Sequence, residues 1–490
     1  VLQFILSPLI LKFAGSDVLG AYSFLMQMVS WAALSDLGFG VAVGRYLAQS
    51  ISVDDQHHQF SKIFTTGRTF YIFSNILFAL VILIFNLNLE KVLIANSSIL
   101  QDCHYSLTLL SIWVVIRTPF SLYNDSLIAT QNLSTVNIIT TIGVIVRLVL
   151  SLIFVIIRSD LIGLMFANIF SELVTNFLCL YVYRKKFPSD RFGWGVPDKE
   201  LFIHMLKFGF SYMIVMLSSR LSTNTDNIII GTLLGTTAVS IFYTSQMPGI
   251  MLSQVIWKIV DNSAPAINEL YSKLLLSQLV SVYFKILKYS LLFALPLGIG
   301  ILIFNKTAIT LWVGEVQYAG EIFTTALSIF IITQVIIHLN CAFLIAFGKV
   351  KIMSYSFLFT GILKVTLSFL SARSFGISGL MISSAFVDII ECLFLSYIVF
   401  NYLELSIKSI FNFAVFPAIK SCSFLIMIPL FSLFITSIND WVPFILSALM
   451  FLILWFTGAI IFGISNNERD SIKIFVKLKL KNHILAFNKL

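Results

Sequence analysis

Charge is the first thing this sequence lacks. Only 11% of its 490 residues are Asp, Glu, Lys or Arg, against 58% apolar residues, and the mean hydropathy is +0.95. A soluble chain carries roughly 25% charged residues, so an ordinary water-soluble arrangement of domains is excluded. Cysteine is scarce as well. The five cysteines, Cys103, Cys179, Cys341, Cys392 and Cys422, are scattered and form no CxxC pair, which excludes a redox or zinc motif and leaves them as small core residues. No HExxH motif or paired His/Cys set is present, so no metal site is expected. No Gly-rich loop leads into Lys-Ser or Lys-Thr, so no nucleotide site and no cofactor are expected. No cleavable signal pattern is visible. No polar segment is long enough to fold a catalytic domain, which argues against an enzyme.

Long apolar runs take the place of what is missing. Runs of about 20 residues, enough for one bilayer crossing, recur from end to end. The first, Val1–Phe13, is short, and the chain opens on Val1, so a truncated first helix is expected. A turn is expected over Gly15 to Gly20. A second run covers Ala21 to Ser50, weakened at Asp36-Leu-Gly38-Phe-Gly40, and a polar loop carries His57 and His58. Further spans fit 63–85, 105–124, 136–157 and 161–183. The polar connector from Arg184 to Lys207 divides the chain. Eight more fit 208–230, 239–260, 289–304, 322–347, 355–371, 379–400, 411–434 and 441–464. The expected fold is an all-α polytopic membrane protein of about 14 transmembrane helices. The expected lobes are 1–190 and 191–405, two six-helix bundles, followed by two additional helices over 406–465 and a basic tail over 466–490.

The net charge of +9 would suit nucleic acid, but its placement points elsewhere. With the N-terminus inside and loops alternating, the inner side receives Arg45, Arg184, Lys185, Lys186, Lys273, Lys349, Lys351 and most other basic residues. The outer side receives Lys12, Lys91, Arg158, Lys306 and Arg373. This positive-inside bias places both termini in the cytoplasm and directs the excess charge at anionic lipid heads rather than nucleic acid.

The chain also repeats itself. Arg147-Leu-Val-Leu-Ser151-Leu returns as Lys364-Val-Thr-Leu-Ser368-Phe. Arg158-Ser159 ahead of Gly163-Leu-Met165 returns as Arg373-Ser374 ahead of Gly379-Leu-Met381, with Glu172 and Asp388 each nine positions beyond the glycine. Gly15 to Tyr22 is echoed loosely by Gly235 to Phe242. Six helices separate equivalent points, so the halves share one topology, the parallel-repeat arrangement of transporters that rock two halves around a site.

Each copy of the repeat places a cation inside an apolar span, where it costs about 2.5–3.5 kcal/mol unless it faces protein or water. Arg117, Arg147, Arg220 and Lys364 are therefore candidates for a basic, water-filled cavity that takes an anionic head group, since guanidinium geometry suits phosphate oxygens. Asp36, Asp226 and Asp388 are candidate coupling or ion-pair acids. The same charges could serve only to pair internally and orient helices. Asp226 stands six residues from Arg220, off helical pair spacing, so a direct pair between them is not expected. Lys258 and Asp261, three apart, read as an interfacial salt bridge, and His338 as a satisfied core histidine rather than a proton relay.

At this point the chain resembles the Wzx-type O-antigen and polysaccharide flippases, within the multidrug/oligosaccharidyl-lipid/polysaccharide (MOP) exporter superfamily. The resemblance rests on Pro8, Gly15 through Tyr22, Ser35-Asp36-Leu-Gly38-Phe-Gly40 before Arg45, Asp226-Asn-Ile-Ile-Ile-Gly231 leading to Tyr243, and Asn467-Glu-Arg469 in the tail. It implies transport of an undecaprenyl-diphosphate-linked oligosaccharide across the bacterial inner membrane by alternating access. It further implies cavity roles for Arg147, Arg220, Asp226 and Lys364, and an O-antigen polymerase and chain-length regulator as partners alongside membrane lipids. A multidrug exporter of the same superfamily would favour an acidic cavity, which the four basic residues oppose. A membrane-bound O-antigen polymerase would need a large outer loop, which is absent. A scaffold would leave the duplicated charges unexplained.

Overall fold

A computed structural model of the chain describes residues 2–31, 39–50, 56–186, 196–427, 440–465 and 468, and every regular element among them is helical. In chain order these are α1 (Leu2–Phe13), α2 (Ser16–Trp31), α3 (Phe39–Ser50), α4 (Gln56–Leu87), α5 (Leu89–Val92), α6 (Ser97–Ala129), α7 (Leu133–Ile157), α8 (Leu161–Lys186), α9 (Lys199–Thr223), α10 (Asp226–Leu233), α11 (Thr236–Ser272), α12 (Leu276–Val313), α13 (Glu321–Ala346), α14 (Val350–Tyr402), α15 (Ile407–Ile410), α16 (Phe416–Ser421) and α17 (Trp441–Gly458). A π-helical stretch, Phe411–Val415, joins α15 to α16, and another, Ala459–Gly463, extends α17. Among the described residues eight segments are long and apolar enough to cross a membrane. The protein is a multi-pass, all-helical membrane protein.

The longest segment needs a physical explanation. Fifty-three helical residues would reach about 80 Å at 1.5 Å per residue, more than twice the hydrocarbon thickness of about 30 Å. The backbone breaks inside it at Gly376, with φ 60° and ψ −147°, a conformation that glycine reaches without a Cβ clash. This break separates the spans read at 355–371 and 379–400.

Left-handed residues also mark the repeat. Gln131 precedes α7 and Ser159 follows it, with φ 59° and 55°; Gly348 and Gly376, with φ 68° and 60°, bracket the first part of α14. The spacing between copies is 217 in both cases (348 − 131 and 376 − 159), the same as between Arg147 and Lys364. Ser151 and Ser368, one turn past the two cations, are both fully buried. The repeated letters thus coincide with repeated helix ends.

Other expectations need correction. The turn after α1 is confined to Ala14 and Gly15 (φ 88°), and Ser16 already begins α2, because one left-handed glycine suffices to redirect the chain. His57 and His58 fall within the first turn of α4 rather than in a loop. The span read at 208–230 starts earlier, at Lys199, where Asp198 caps α9 by accepting from Leu201 N–H at 2.7 Å. It then breaks at Asn224 and Thr225, before α10. Of the span read at 411–434, the described part to Met427 is broken into short pieces. The basic tail lies outside the described residues except for Glu468.

The chain forms two compact units. The first comprises Val1–Met247, Trp312–Ala319 and Lys351–Val387; the second comprises Pro248–Leu311, Gly320–Val350 and Asp388–Leu490. The first holds one core around Phe24, Leu93, Leu107 and Leu164 and another around Phe64, Tyr123 and Tyr183. In the second, Tyr283, Asn340 and Ser396 form a buried polar chain, with Tyr283 Oη donating to Asn340 Oδ1 at 3.0 Å and Asn340 Nδ2 donating to Ser396 Oγ at 2.9 Å.

Candidate functional site

The first unit contains both cations of the repeat. The break between α9 and α10 is pinned where Trp31 Nε1 donates to the carbonyl of Asn224 at 2.7 Å. This puts Asp226 on the first turn of α10 rather than in mid-helix. Its Oδ2 lies 3.3 Å from Lys364 Nζ on α14. Both are buried: Lys364 is 1% exposed and Asp226 8%. Asp226 therefore pairs with Lys364, 138 positions away, and not with Arg220.

The next residues tie α10 to α2. Asn227 Nδ2 donates to the carbonyl of Ser23 at 3.4 Å, and Ile228 N–H donates to Gln27 Oε1 at 3.2 Å. A Cβ on Gly231 would come within 2.8 Å of the Phe24 ring. Asp226 Oδ1, Asn227 Oδ1 and Ser23 Oγ are buried with no hydrogen-bond partner among the described residues.

Arg147 is held by α8. It is half-buried on α7, and Nη1 donates to the buried Asn168 Oδ1 of α8 at 3.2 Å. Its Nε is buried with no hydrogen-bond partner among the described residues. Tyr22 of α2 and Tyr243 of α11 both lie within electrostatic range of the guanidinium, and of each other. A guanidinium offers five donors in a planar fork. Here one arm is held by Asn168 and the inner edge is unsatisfied, which suits an oxyanion.

The other candidates are placed differently. Arg117 Nη1 lies 3.7 Å from Glu172 Oε2, which also accepts from Trp113 Nε1 at 2.7 Å; this is internal pairing of the kind that orients helices. Arg220 is half-buried in the last turn of α9. Asp36 lies outside the described residues. Asp388 belongs to the second unit, is fully buried, and accepts from Gln334 Nε2 at 2.5 Å. Sequence reasoning did not single out Asn168, although a lone Asn in the apolar run Met165–Phe170 was a visible signal. It used Tyr22 and Tyr243 only as marks of resemblance. Among the described residues no group of His, Cys, Asp and Glu is arranged to hold a metal ion.

Comparison with known proteins fits this architecture. The fold is similar to that of a multidrug resistance MATE family transporter of the MOP superfamily in an inward-facing conformation, with TM-score 0.70 and 14% identity over 82% of this chain and 96% of that one. It is similar to the lipid II flippase MurJ in an inward closed conformation, with TM-score 0.68 and 16% identity over 96% of this chain and 97% of that one. A MOP superfamily transporter from Pyrococcus furiosus, described as having a binding pocket of reversed polarity that suggests a different function, aligns with TM-score 0.59 and 14% identity, covering 82% of this chain and 92% of that one. No protein of curated function matches the chain. The fold is therefore like that of these MOP superfamily transporters. Residues 1–271, more than half of the sequence, match the family described as polysaccharide biosynthesis protein, and the chain belongs to that family.

Proposed function

We propose that this protein is a flippase that carries a polyprenyl-diphosphate-linked oligosaccharide, an O-antigen or related surface-glycan unit, across the bacterial inner membrane by alternating access. Its lobes would be 1–190 and 191–405, with two further helices and a cytoplasmic tail, making about 14 crossings. The observation that carries this reading is Arg147: a guanidinium in an apolar span, with a buried Nε that has no hydrogen-bond partner among the described residues and two tyrosines within electrostatic range. A diphosphate supplies the missing acceptors and can engage two guanidinium donors at once. Membership of a polysaccharide biosynthesis family supports a glycan on the lipid. Arg220 is a further candidate contact. Lys364 and Asp226 neutralise each other, so their role in this scheme is to hold α10 against α14, and Arg117 is held by Glu172.

The fold's likeness to a MATE multidrug transporter favours a second reading, export of organic cations. Deleting the gene in its own host distinguishes them. A flippase predicts that lipid-linked oligosaccharide accumulates in the cell and that surface glycan falls. Unchanged surface glycan with increased sensitivity to cationic drugs would replace this reading with the second.

A further inference from the structure

The second unit carries a polar cluster that the fold does not explain. On α11, Lys258 Nζ lies 3.1 Å from Asp261 Oδ2. Asp261 Oδ1 lies 2.8 Å from His338 Nε2 on α13. The His338 ring stacks on Trp257, with centroids 4.8 Å apart and planes 14° from parallel. The Lys258–Asp261 bridge and a satisfied His338 were both expected; their union on one aromatic deck was not. Lys258, Asp261 and His338 side chains are 72%, 40% and 32% exposed. His338 lies eight residues before the end of α13, about 12 Å along the axis, so the cluster sits inside a spanning segment. Exposed charges at that depth are unfavourable against lipid and are tolerated where they face water or a polar ligand.

The chemistry of the cluster is specific. Stacked rings offer an apolar, polarisable surface. Asp261 accepts hydrogen bonds, Lys258 donates them, and the Trp257 indole N–H is a buried donor with no partner among the described residues. A pyranose ring combines the complements: an apolar C–H face, hydroxyls that both donate and accept, and a ring oxygen. A small number of placed polar groups on an aromatic wall is the usual composition of an orienting subsite. A bare phosphate would meet the Asp261 carboxylate.

We propose that Trp257, Lys258, Asp261 and His338 form a sugar-binding subsite that contacts the glycan of the transported lipid. This rests on the flippase reading and adds a contact for the oligosaccharide to the one for its head group. The test uses the full chain in proteoliposomes. The probes are the lipid-linked oligosaccharide that accumulates in the deletion host and the same lipid trimmed enzymatically to its first sugar. For Trp257→Ala and Asp261→Asn, the ratio of full-length to trimmed-lipid transport falls at least fivefold relative to the unsubstituted chain, and Trp257→Phe, which keeps a ring, falls less. If both lipids slow by the same factor, or neither slows, Trp257 only packs helices and the subsite is overturned. If the unsubstituted chain moves neither lipid, the flippase reading fails first and takes the subsite with it.

Discussion

Lys364 changes meaning between sequence and structure. As a letter in an apolar run it reads as a cation waiting for an anionic guest; in the structure it is 1% exposed and 3.3 Å from Asp226. Removing one partner of a buried pair leaves the other charge uncompensated and costs about 3–5 kcal/mol, whereas replacing both by apolar side chains of similar volume is often neutral. Lys364→Ala is therefore expected to lower the yield of folded protein sharply, and Asp226→Leu with Lys364→Met to restore it, as read by thermal unfolding in detergent. If the double variant also regains glycan export, the pair only supports the fold; if it folds and does not export, the charges take part in transport. Arg147 is the contrasting residue. Its neighbour Asn168 is neutral, so Arg147→Ala strands no opposing charge among the described residues and should leave folding nearly intact while transport falls.

Helices were legible wherever long apolar runs had polar ends: α7, α8 and α13 lie within about three residues of their expected limits. What the sequence did not reveal were breaks inside apolar runs. The Asn224–Thr225 interruption is fixed by Trp31, 193 positions away, and no local pattern announces such a contact. The site was half legible for the same reason. The duplicated cations were visible, but which of them is neutralised depends on tertiary pairing. Close helix approaches give direct tests. A Cβ on Gly20 would stand 1.8 Å from the Thr236 carbonyl oxygen, so Gly20→Ala must push α2 away from the start of α11, and overpacking of this kind typically costs about 1–3 kcal/mol or more. Gly44, in the interior of α3, has nothing within 4 Å of its Cβ position, so Gly44→Ala should be tolerated or slightly stabilising; a lowered unfolding temperature for the second and not the first would contradict this packing. The α9 cap tests pH. The Leu201 N–H, followed by the Lys62 ammonium 2.5 Å away, holds the Asp198 carboxyl below the usual carboxylate range. A depressed carboxylate contributes above its unfolded value of about 3.9 and loses that contribution as pH falls through the lower folded value. The protection factors of the amides at residues 199–202 should therefore hold from neutral pH down to about 4 and fall only in stronger acid, while Asp198→Ala lowers them at neutral pH.

The whole molecule joins a duplicated chain to the polysaccharide biosynthesis protein family. The 217-residue spacing of Arg147 with Lys364 recurs in the left-handed residues that bracket α7 and the first part of α14, so duplication extends from side chains to helix ends. Yet the copies have diverged: one cation has an Nε with no hydrogen-bond partner among the described residues and two tyrosines within electrostatic range, and the other is paired with Asp226. In the proposed function the two halves therefore do unequal work, with head-group binding assigned to Arg147. The most direct measurement is transport of the accumulated lipid-linked oligosaccharide by the purified full chain in proteoliposomes, with Arg147 intact or replaced by Ala, at matched amounts of folded protein. Transport by the intact chain and a loss of at least tenfold with Arg147→Ala are expected. Equal transport by both proteins, or movement of organic cations in place of the lipid, would contradict that assignment.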